Sequence, residues 1–432
     1  MDHYEEACLP AVGLNVNGVP VQLRGFRDET VAVDLPEGTV SVDVEATGAA
    51  PDALVQVDGE ETNRANLAYS IPVTRVVVAV TLMGSSRSVV LLIRAGRRYV
   101  QFAIDDYDTF GSTAISASGT NMAGGSPDLF FNRNTGTVSF FDLVDGGWTK
   151  AGSIQSSDRG AGWTVSLSDD GRVLADTASY GQPLQISSRT GGYWKAEAVA
   201  AVPGPGAAAA MAGDGQMAWL ALGLPDAGVI GFAKDAGVWV PVVAIDGDAR
   251  SVAVSSDSAT VAVGSSSTGA VRVYTRSPQG YALAQALHTS AQLGASVALS
   301  GDGAVLVASD RISNPLTAWV FERGDAGYEE RLAIHPAADP WAAPSSVCET
   351  PVAVSSDGLT VAVGFTQDDS VVIASLQNGD WRVVEALLPA GPGDSNRVFA
   401  GSGVSVSGDG SRVSVACPLC ARKLSVFERL AR

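Results

Sequence analysis

The residues AVSSDSATVAVG at 253–264 and AVSSDGLTVAVG at 353–364 are two copies of one phrase. In each copy, small or apolar residues lead to a serine, then to an Asp-Gly or Asp-Ser pair, and then to a run rich in β-branched residues. Close copies are SLSDDGRVLAD at 166–176, ALSGDGAVLVAS at 298–309 and SVSGDGSRVSVA at 405–416, and weaker ones are SASGTNMAGG at 116–125 and AMAGDGQMAWLALG at 210–223. The chain therefore carries seven copies of a strand–turn–strand unit.

The spacing of the copies indicates the architecture. The aligned turn residues lie 43 to 55 residues apart, at Ser118, Asp170, Asp214, Asp257, Asp302, Asp357 and Asp409. Repeats of this period that are built from short strands are typical of a β-propeller. Each unit reads as four strands, but the last one stops after its third strand at Arg429. The segment RYVQFAI at 98–104 precedes the first repeat and has the character of the missing fourth strand. The sequence predicts a seven-bladed propeller over residues 97–432, closed by this N-terminal outer strand.

Residues 1–96 lack the repeat and are predicted to form a separate β-sandwich domain. Apolar residues alternate at 31, 33 and 35 and again at 40, 42 and 44. Pro36-Glu37-Gly38 and Asp58-Gly59 mark turns between these short strands. The whole chain is therefore predicted to be all-β, with a sandwich followed by a propeller.

The N-terminal part resembles the cadherin-like β-sandwich domain of bacterial and algal surface proteins. The matching segments are LNVNGVPVQL at 14–23, TVAVDLPEGTVSVDVEA at 30–46, VQVDGEE at 55–61 and SVVLLIR at 88–94. The resemblance covers about 85 residues and implies a surface-exposed protein.

The repeats resemble the FG-GAP repeat, the blade of integrin α-subunit propellers and of many microbial surface proteins. Phe110-Gly111 and Leu293-Gly294 precede apolar strands, and Val263-Gly264 and Val363-Gly364 follow the Asp turns. Some blades of that family carry a calcium loop of the form DxDxDG. Here Ser300-Gly301-Asp302-Gly303 offers too few oxygens for the six to eight ligands of calcium. We expect no cofactor and interpret these segments as Asp-Gly β-turns, with calcium as the alternative.

Composition and charge exclude several classes of partner. The chain has 46 acidic and 28 basic residues, a formal charge of -18, and no basic run, so nucleic acid and anionic membranes are poor partners. No apolar stretch is long enough for a transmembrane helix. The start MDHYEEACLP is not a signal peptide. We expect protein partners or self-association, and glycans as a further possibility.

The sequence carries no catalytic signature, so we predict a non-enzymatic protein. Only three histidines occur, and no nucleophile elbow, P-loop, dinucleotide fingerprint or metal-ligand spacing is present. Aromatic residues recur at one place on the fourth strands, where we expect them to pack between sheets rather than to stack on sugars: Trp148, Tyr193, Trp194, Trp239, Tyr281, Tyr328 and Trp381.

The cysteines leave two interpretations open. Cys417 and Cys420 have CxxC spacing, but they lie between two strands rather than at the start of a helix. A local disulfide or two free thiols are each favoured over redox catalysis. Cys8 and Cys348 could pair across domains.

Loops between consecutive blades are the candidate binding site. They should emerge on one face of the disc, and they carry acids, arginines and a tryptophan that could bind a polar ligand or a peptide. The candidate residues are Asp105, Asp106, Asp108, Asp158, Arg159, Asp248, Arg250, Trp341, Asp394 and Arg397. Solvated loop acids are the simpler interpretation.

Three functions remain open from the sequence. The first is an extracellular or cell-surface adhesion or assembly protein, a possible subunit of a filament or lattice. The second is a carbohydrate-binding propeller, either a lectin or a glycan-active enzyme, and the third is an intracellular WD-like scaffold. A disulfide at the CxxC would disfavour the intracellular scaffold.

Overall fold

The structure is a computed structural model, and it describes part of the chain in detail. The described residues are 13–21, 23, 29–35, 41–47, 54–68, 74–82, 85–95, 99–104, 110–127, 136–156, 161–178, 183–202, 204–224, 226–265, 267–289, 292–311, 316–336, 350–366, 369–387, 401–418 and 424–430. They form strands and turns, with no helix among them.

The N-terminal part consists of two sheets around one core. Its strands are β1 (Gly13–Val16), β2 (Val19–Val21), β3 (Glu29–Leu35), β4 (Ser41–Thr47), β5 (Leu54–Val57), β6 (Glu60–Glu61), β7 (Arg64–Ala68), β8 (Thr74–Leu82) and β9 (Ser85–Ala95). One sheet has the order β2-β1-β4-β7 and the other β3-β9-β8-β5-β6. Alternate residues of both sheets, such as Val42, Val44, Val76, Val78 and Leu91, are buried in a single cluster. This arrangement has the features of a sandwich, whereas the cadherin-like type and the boundary at residue 96 stay predictions.

The propeller begins with strand β10 (Tyr99–Ile104), and the first three blades follow it in the chain. Blade 1 contains β11 (Ser112–Ile115), β12 (Asn121–Pro127), β13 (Gly136–Val144) and β14 (Gly147–Ser156). Blade 2 contains β15 (Val165–Leu167), β16 (Val173–Thr177), β17 (Leu184–Thr190) and β18 (Tyr193–Ala196). The short β19 (Ala198–Val199) then pairs in parallel with the outer strand of blade 3, which contains β20 (Gly206–Met211), β21 (Met217–Leu222), β22 (Val229–Asp235) and β23 (Val238–Ile245).

The remaining blades repeat the same antiparallel order. Blade 4 contains β24 (Ser251–Val254), β25 (Thr260–Ser265), β26 (Ala270–Ser277) and β27 (Gly280–His288). Blade 5 contains β28 (Ser296–Leu299), β29 (Val305–Ser309), β30 (Ala318–Gly324) and β31 (Gly327–Ile334). Blade 6 contains β32 (Val352–Val354), β33 (Thr360–Phe365), β34 (Ser370–Gln377) and β35 (Asp380–Leu387). Blade 7 contains β36 (Gly403–Val406), β37 (Arg412–Ala416) and β38 (Leu424–Arg429).

Strand β10 completes blade 7 and closes the ring. Its sheet has the order β10-β38-β37-β36, and the register runs from Tyr99 opposite Arg429 to Ile104 opposite Leu424. The predicted closure by the N-terminal outer strand is therefore confirmed. Because β10 and β38 come from opposite ends of the propeller sequence, neither end can detach without breaking the hydrogen bonds between these two strands.

The repeated phrase forms a hydrogen-bonded turn between the first two strands of a blade. In blade 5 the Ser300 hydroxyl donates to Asp302 Oδ1 at 2.7 Å and accepts the Val305 N–H at 2.9 Å. Asp302 Oδ1 also accepts the Ala304 N–H at 2.9 Å. The same contacts recur at Ser168 and Asp170, Ser255 and Asp257, Ser355 and Asp357, and Ser407 and Asp409. The interpretation of these segments as Asp turns is therefore confirmed.

The seven turns are joined in a cycle of backbone hydrogen bonds. In each turn, one backbone carbonyl group accepts a hydrogen bond from a backbone N–H of the preceding blade, with N···O distances of 2.8 to 3.0 Å. The cycle closes because the Gly408 N–H of blade 7 donates to the Ala117 carbonyl of blade 1. These acceptors are Ala117, Asp169, Gly213, Ser256, Gly301, Ser356 and Gly408. Six of them are Gly, Ala or Ser, because the neighbours crowd these positions: a Cβ on Gly408 would lie 2.9 Å from the Ala117 carbonyl oxygen.

One side-chain bond crosses this cycle. Ser256 Oγ donates to Asp169 Oδ2 at 2.8 Å, and so links blade 4 to blade 2. A Cβ on Gly213 would lie 2.1 Å from that Asp169 oxygen, so only glycine leaves room for the link. The glycine of blade 3 thus permits a contact between its two neighbours.

Glycine–glycine contacts join blades at the opposite end of the strands. A Cβ on Gly264 in β25 would lie 2.5 Å from the carbonyl oxygen of Gly294, which precedes the first strand of the next blade. Gly125 stands in the same way against Gly162, and Gly364 against Gly401, each at 2.2 Å. The Val-Gly and Leu-Gly pairs of the sequence are therefore the two sides of one contact between blades.

Most of the predicted fourth-strand aromatics pack between blades, and one does not. Trp239, Tyr328 and Trp381 are buried, and Trp194 stacks on Phe140 of blade 1 with ring centroids 3.8 Å apart. The prediction is wrong for Tyr193, which is 81% exposed. Because successive strand residues point to opposite faces, packing of Trp194 sends Tyr193 to solvent.

The polar ends of these aromatic side chains hold neighbouring segments in place. Tyr281 Oη donates to the Ser258 carbonyl at 2.5 Å, and Tyr99 Oη to the Gly410 carbonyl at 2.8 Å. Tyr99 belongs to β10, so the closing strand supplies the same contact to its turn as a regular fourth strand. Trp381 Nε1 instead donates to Glu322 of blade 5 at 2.7 Å.

We predict that Gly264→Ala destabilises the protein. The new methyl group would collide with the Gly294 backbone and would lie 2.3 Å from Ser251 Oγ. Overpacking of this kind costs about 1 to 3 kcal/mol. Gly324→Ala is the matched control, since its Cβ would meet its nearest neighbour at an ordinary 3.8 Å. Equal denaturation midpoints for the two variants would contradict the glycine–glycine contact.

We predict that Ser258→Gly stabilises the protein by about 1 kcal/mol. Ser258 has a φ of 59° at the turn position where the other six blades have glycine, and a side chain is strained there. Its buried hydroxyl has no hydrogen-bond partner among the described residues. Gly303→Ser in blade 5 is the reverse substitution and should lower the melting temperature. A lower melting temperature for Ser258→Gly would refute this account of the turn.

Candidate binding surfaces

The strand order defines two faces of the disc. In blade 4 Ser251 pairs with Gly264, and Ala270 pairs with His288, so the start of β24 and the end of β27 lie at the same level. Loops between blades therefore emerge at one face, which we call the connection face. The turns between the first two strands of the seven blades and the hairpins before the outer strands lie at the other, which we call the turn face.

Two of the ten candidate residues lie in the described part of the chain, both between blades 3 and 4. Asp248 Oδ2 accepts the Ser265 hydroxyl at 2.5 Å and also the Ser267 hydroxyl. The Ser265 and Ser267 hydrogen bonds hold the pKa of Asp248 below its usual range. This carboxylate therefore orders the loop after β25, and its role toward a ligand stays a prediction.

Arg250 stands next to this loop on the connection face. Its backbone N–H donates to the Gly264 carbonyl at 2.8 Å, and its side chain is half-buried. The binding role of Arg250 also stays a prediction. The other candidates lie outside the described residues: Asp105, Asp106, Asp108, Asp158, Arg159, Trp341, Asp394 and Arg397.

The central channel is surrounded by uncharged strands. The inner strands β11, β15, β20, β24, β28, β32 and β36 contain only Gly, Ala, Ser, Thr, Val, Leu, Ile and Met. Their hydroxyl groups are used between blades: Ser166 accepts the Met211 N–H at 2.9 Å, and Ser405 accepts the Ile115 N–H at 3.1 Å. These walls offer neither a titratable group nor a fixed charge to a ligand.

One buried acid interrupts the repeat in blade 2. Asp176 is 3% exposed and occupies the strand position where blades 4 and 6 have Val263 and Val363. Its Oδ2 accepts the N–H of Gly162, the glycine at the blade 1 contact, at 3.1 Å. Burial raises the pKa of Asp176 to about 7, and the Gly162 hydrogen bond opposes the rise. Asp176 is the last residue of SLSDDGRVLAD, at a position where the copies at 253–264 and 353–364 have valine. This difference was a visible signal that the sequence analysis did not use.

Cys417 follows β37 at the connection face and is disulfide-bonded. It is 1% exposed. Of the two interpretations of the CxxC, free thiols are therefore excluded for Cys417. Cys420, the predicted partner, lies outside the described residues, as do Cys8 and Cys348.

The rim of the disc carries an apolar area that the sequence analysis did not identify. Outer strands β23 and β27 of neighbouring blades expose only apolar residues over most of their length, among them Val242 at 55% and Leu283 at 56%. We define the apolar rim as Val238, Pro241, Val242, Ala244, Ala282, Leu283, Ala284 and Ala286. VWVPVVAI at 238–245 has no polar residue in alternation, which was the available signal.

Metal ligands are not grouped in the described residues. These residues contain no set of three or more histidines, cysteines or acids placed to hold a metal ion. In that same part of the chain, no helix is both long and apolar enough to cross a membrane.

We predict that Asp176→Asn stabilises the protein at pH 8 and has little effect at pH 4. With a folded-state pKa of about 7 and an ordinary value of 3.8, the folded wild type binds more protons than the unfolded chain between these values. Its free energy of unfolding therefore falls as pH rises through this window, by about 1.4 kcal/mol per unit at most. Asparagine keeps the acceptor for the Gly162 N–H.

The measurement is a chemical denaturation series from pH 4 to pH 8. Asp145→Asn is the control, since Asp145 is exposed in a hairpin. A stability difference between Asp176→Asn and wild type that does not change with pH would contradict the raised pKa.

Comparison with known proteins identifies the fold but not a family. No family model matches the chain, and no curated protein matches its sequence. Among solved structures, the β-propeller domain of Cps50 (Swd1) from Myceliophteria thermophila is similar with a TM-score of 0.57 and 11% identity, over 77% of this chain and 100% of that one. Kuenenia stuttgartiensis hydrazine synthase is similar with a TM-score of 0.55 and 14% identity, over 76% of this chain and 97% of that one. At these identities the likeness shows the fold alone: the chain is an all-β protein with a β-propeller.

Proposed function

We propose that this protein is a non-enzymatic scaffold at the cell surface or outside the cell, where it binds other proteins in adhesion or assembly. The apolar rim carries the proposal. Contiguous exposed apolar area is uncommon on soluble proteins and marks interaction sites. A binding role needs such a surface, whereas a catalytic role needs convergent reactive groups.

The composition of the channel walls supports binding rather than turnover. Enzymes need acids, bases or nucleophiles that point at one substrate position. The inner strands supply hydroxyl and aliphatic side chains, and the hydroxyls of Ser166 and Ser405 already bond to neighbouring strands. The inner strands therefore serve to hold neighbouring blades together rather than to present reactive groups.

The disulfide at Cys417 supports the extracellular location. Disulfides persist in oxidising compartments and are rare in reducing ones. It disfavours the intracellular WD-like scaffold, which the likeness to the Swd1 propeller otherwise keeps as the second candidate function.

The finer assignment to FG-GAP blades after a cadherin-like domain is part of this proposal. The pairing of Gly264 with Gly294 and of Gly364 with Gly401 gives a physical reason for an apolar-Gly pair before one blade and a Val-Gly pair in the previous one. A glycan-binding role receives less support, because Trp219, Trp239 and Trp381 are buried. Trp341, on which that role depended, lies outside the described residues.

A bead assay tests the proposal. Beads that carry the wild-type protein should adhere to a surface coated with the extracellular proteins of the source cells, and Val242→Glu/Leu283→Glu should reduce adhesion at least about tenfold. Ser153→Glu/Gln155→Glu is the matched control, since it adds the same charge to exposed residues of the polar rim strand β14. Absence of wild-type adhesion would contradict the proposed function. Equal adhesion by all three proteins would remove the apolar rim as its site.

A further inference from the structure

We propose that the apolar rim binds a second copy of this chain, so that the protein forms a two-fold symmetric dimer with the outer edges of blades 3 and 4 in contact. This inference rests on the proposed role in assembly and names its partner. It follows from the composition of the rim, from the features that prevent strand addition there, and from the charge of the chain.

Among the described outer strands, β23 and β27 expose the most apolar residues, whereas β10 and β18 expose one large apolar residue each, Phe102 and Tyr193. Other outer strands expose polar or charged side chains, namely Lys150, Ser153 and Gln155 in β14, Glu329, Glu330 and Arg331 in β31, and Asp380 and Arg382 in β35. Blades 3 and 4 are direct neighbours, since Trp219 of blade 3 meets Tyr281 of blade 4 edge to face at 5.0 Å. The eight apolar residues therefore lie on the outer edges of two adjacent blades.

The strand edges in this surface are not available for a further strand. β19 already pairs with Val238 and Trp239 at one end of β23. Pro241 has no N–H to donate, and the register shifts place β-bulges at Val242 and Ala284. A partner must therefore contact the side chains rather than extend the sheet.

Charge is compatible with a second copy as that partner, provided that the contact is confined to a neutral surface. Two chains of formal charge -18 repel each other, and they can approach closely only where the local surface is neutral. Strands β23 and β27 contain no acid and no base apart from the terminal His288. Because the Debye length is about 8 Å at physiological salt, the acids elsewhere on the disc would be largely screened in such a contact.

The shape of the rim suits a two-fold axis between the two blades. Such an axis places β23 of one copy on β27 of the other, and the reverse. β23 presents Val238, Pro241 and Val242, whereas β27 presents three alanines beside Leu283, so bulky residues meet small ones. Two strands of about 26 Å, with blades about 10 Å apart, offer roughly 500 Å² per copy, which is the core of a typical interface of about 800 Å² per partner.

Light scattering after size exclusion tests the dimer over a wide range of protein concentration. We expect the wild type and Ser153→Glu/Gln155→Glu to reach twice the 44.2 kDa mass of the chain. Val242→Glu/Leu283→Glu should remain at the mass of one chain, with dimerisation weakened by about 100-fold or more. All of these positions lie on the rim surface, so circular dichroism should show the same fold.

A charge-pairing experiment distinguishes self-association from other effects. Val242→Lys/Leu283→Lys should also be monomeric alone, and an equal mixture of the Glu and Lys variants should dimerise. A wild type that stays at 44.2 kDa at every concentration, or a mixture that does not dimerise, would overturn the inference. If that monomeric wild type still adheres in the bead assay, the proposed function stands and only the identity of its partner changes.

Discussion

The cycle of seven backbone hydrogen bonds between the turns of the seven blades is the constraint on which the propeller depends. Each turn donates to the next one and accepts from the previous one, so all seven must be at the same height and radius. That requirement explains the regularity of the turn itself. In five of the seven turns a serine hydroxyl and an aspartate oxygen fix the backbone locally, and this leaves the intervening amide and carbonyl free to bond between blades.

Close approach of backbones is the second device that joins blades. At one end of the strands six of the seven acceptors in the cycle are glycine or small residues, and at the other end Gly264 and Gly364 lie against Gly294 and Gly401. Side chains then fill the space between these two levels, with a tryptophan or tyrosine near the outer edge. Gln285 adds a polar link there, because its amide bonds to both the N–H and the carbonyl of Tyr328 in the next blade.

The parts of the molecule that do not join blades are the ones available to bind a partner. The polar side chains of the inner strands form hydrogen bonds with neighbouring strands, and the turn aspartates form theirs within their own turns. The loops of the connection face and the rim remain. Of these, the rim of blades 3 and 4 departs most from the other blades in exposed residue type. Asp176 and the Cys417 disulfide are two further departures from the repeat, and each alters how the fold responds to its surroundings, through pH and redox state respectively.

The sequence alone determined the number of blades, their turns and the strand that closes the ring. These features depend on residues that are close in sequence or on a count of repeats, so the pattern at 253–264 and the unfinished repeat at Arg429 were sufficient. Tertiary structure decided which residue of Tyr193-Trp194 packs against the next blade, that Gly264 meets Gly294, and that Val242 and Leu283 are exposed on the outer strands of neighbouring blades. An apolar residue in a strand carries the same local signal whether the next blade covers it or solvent does, because burial is set by neighbours that are distant in sequence.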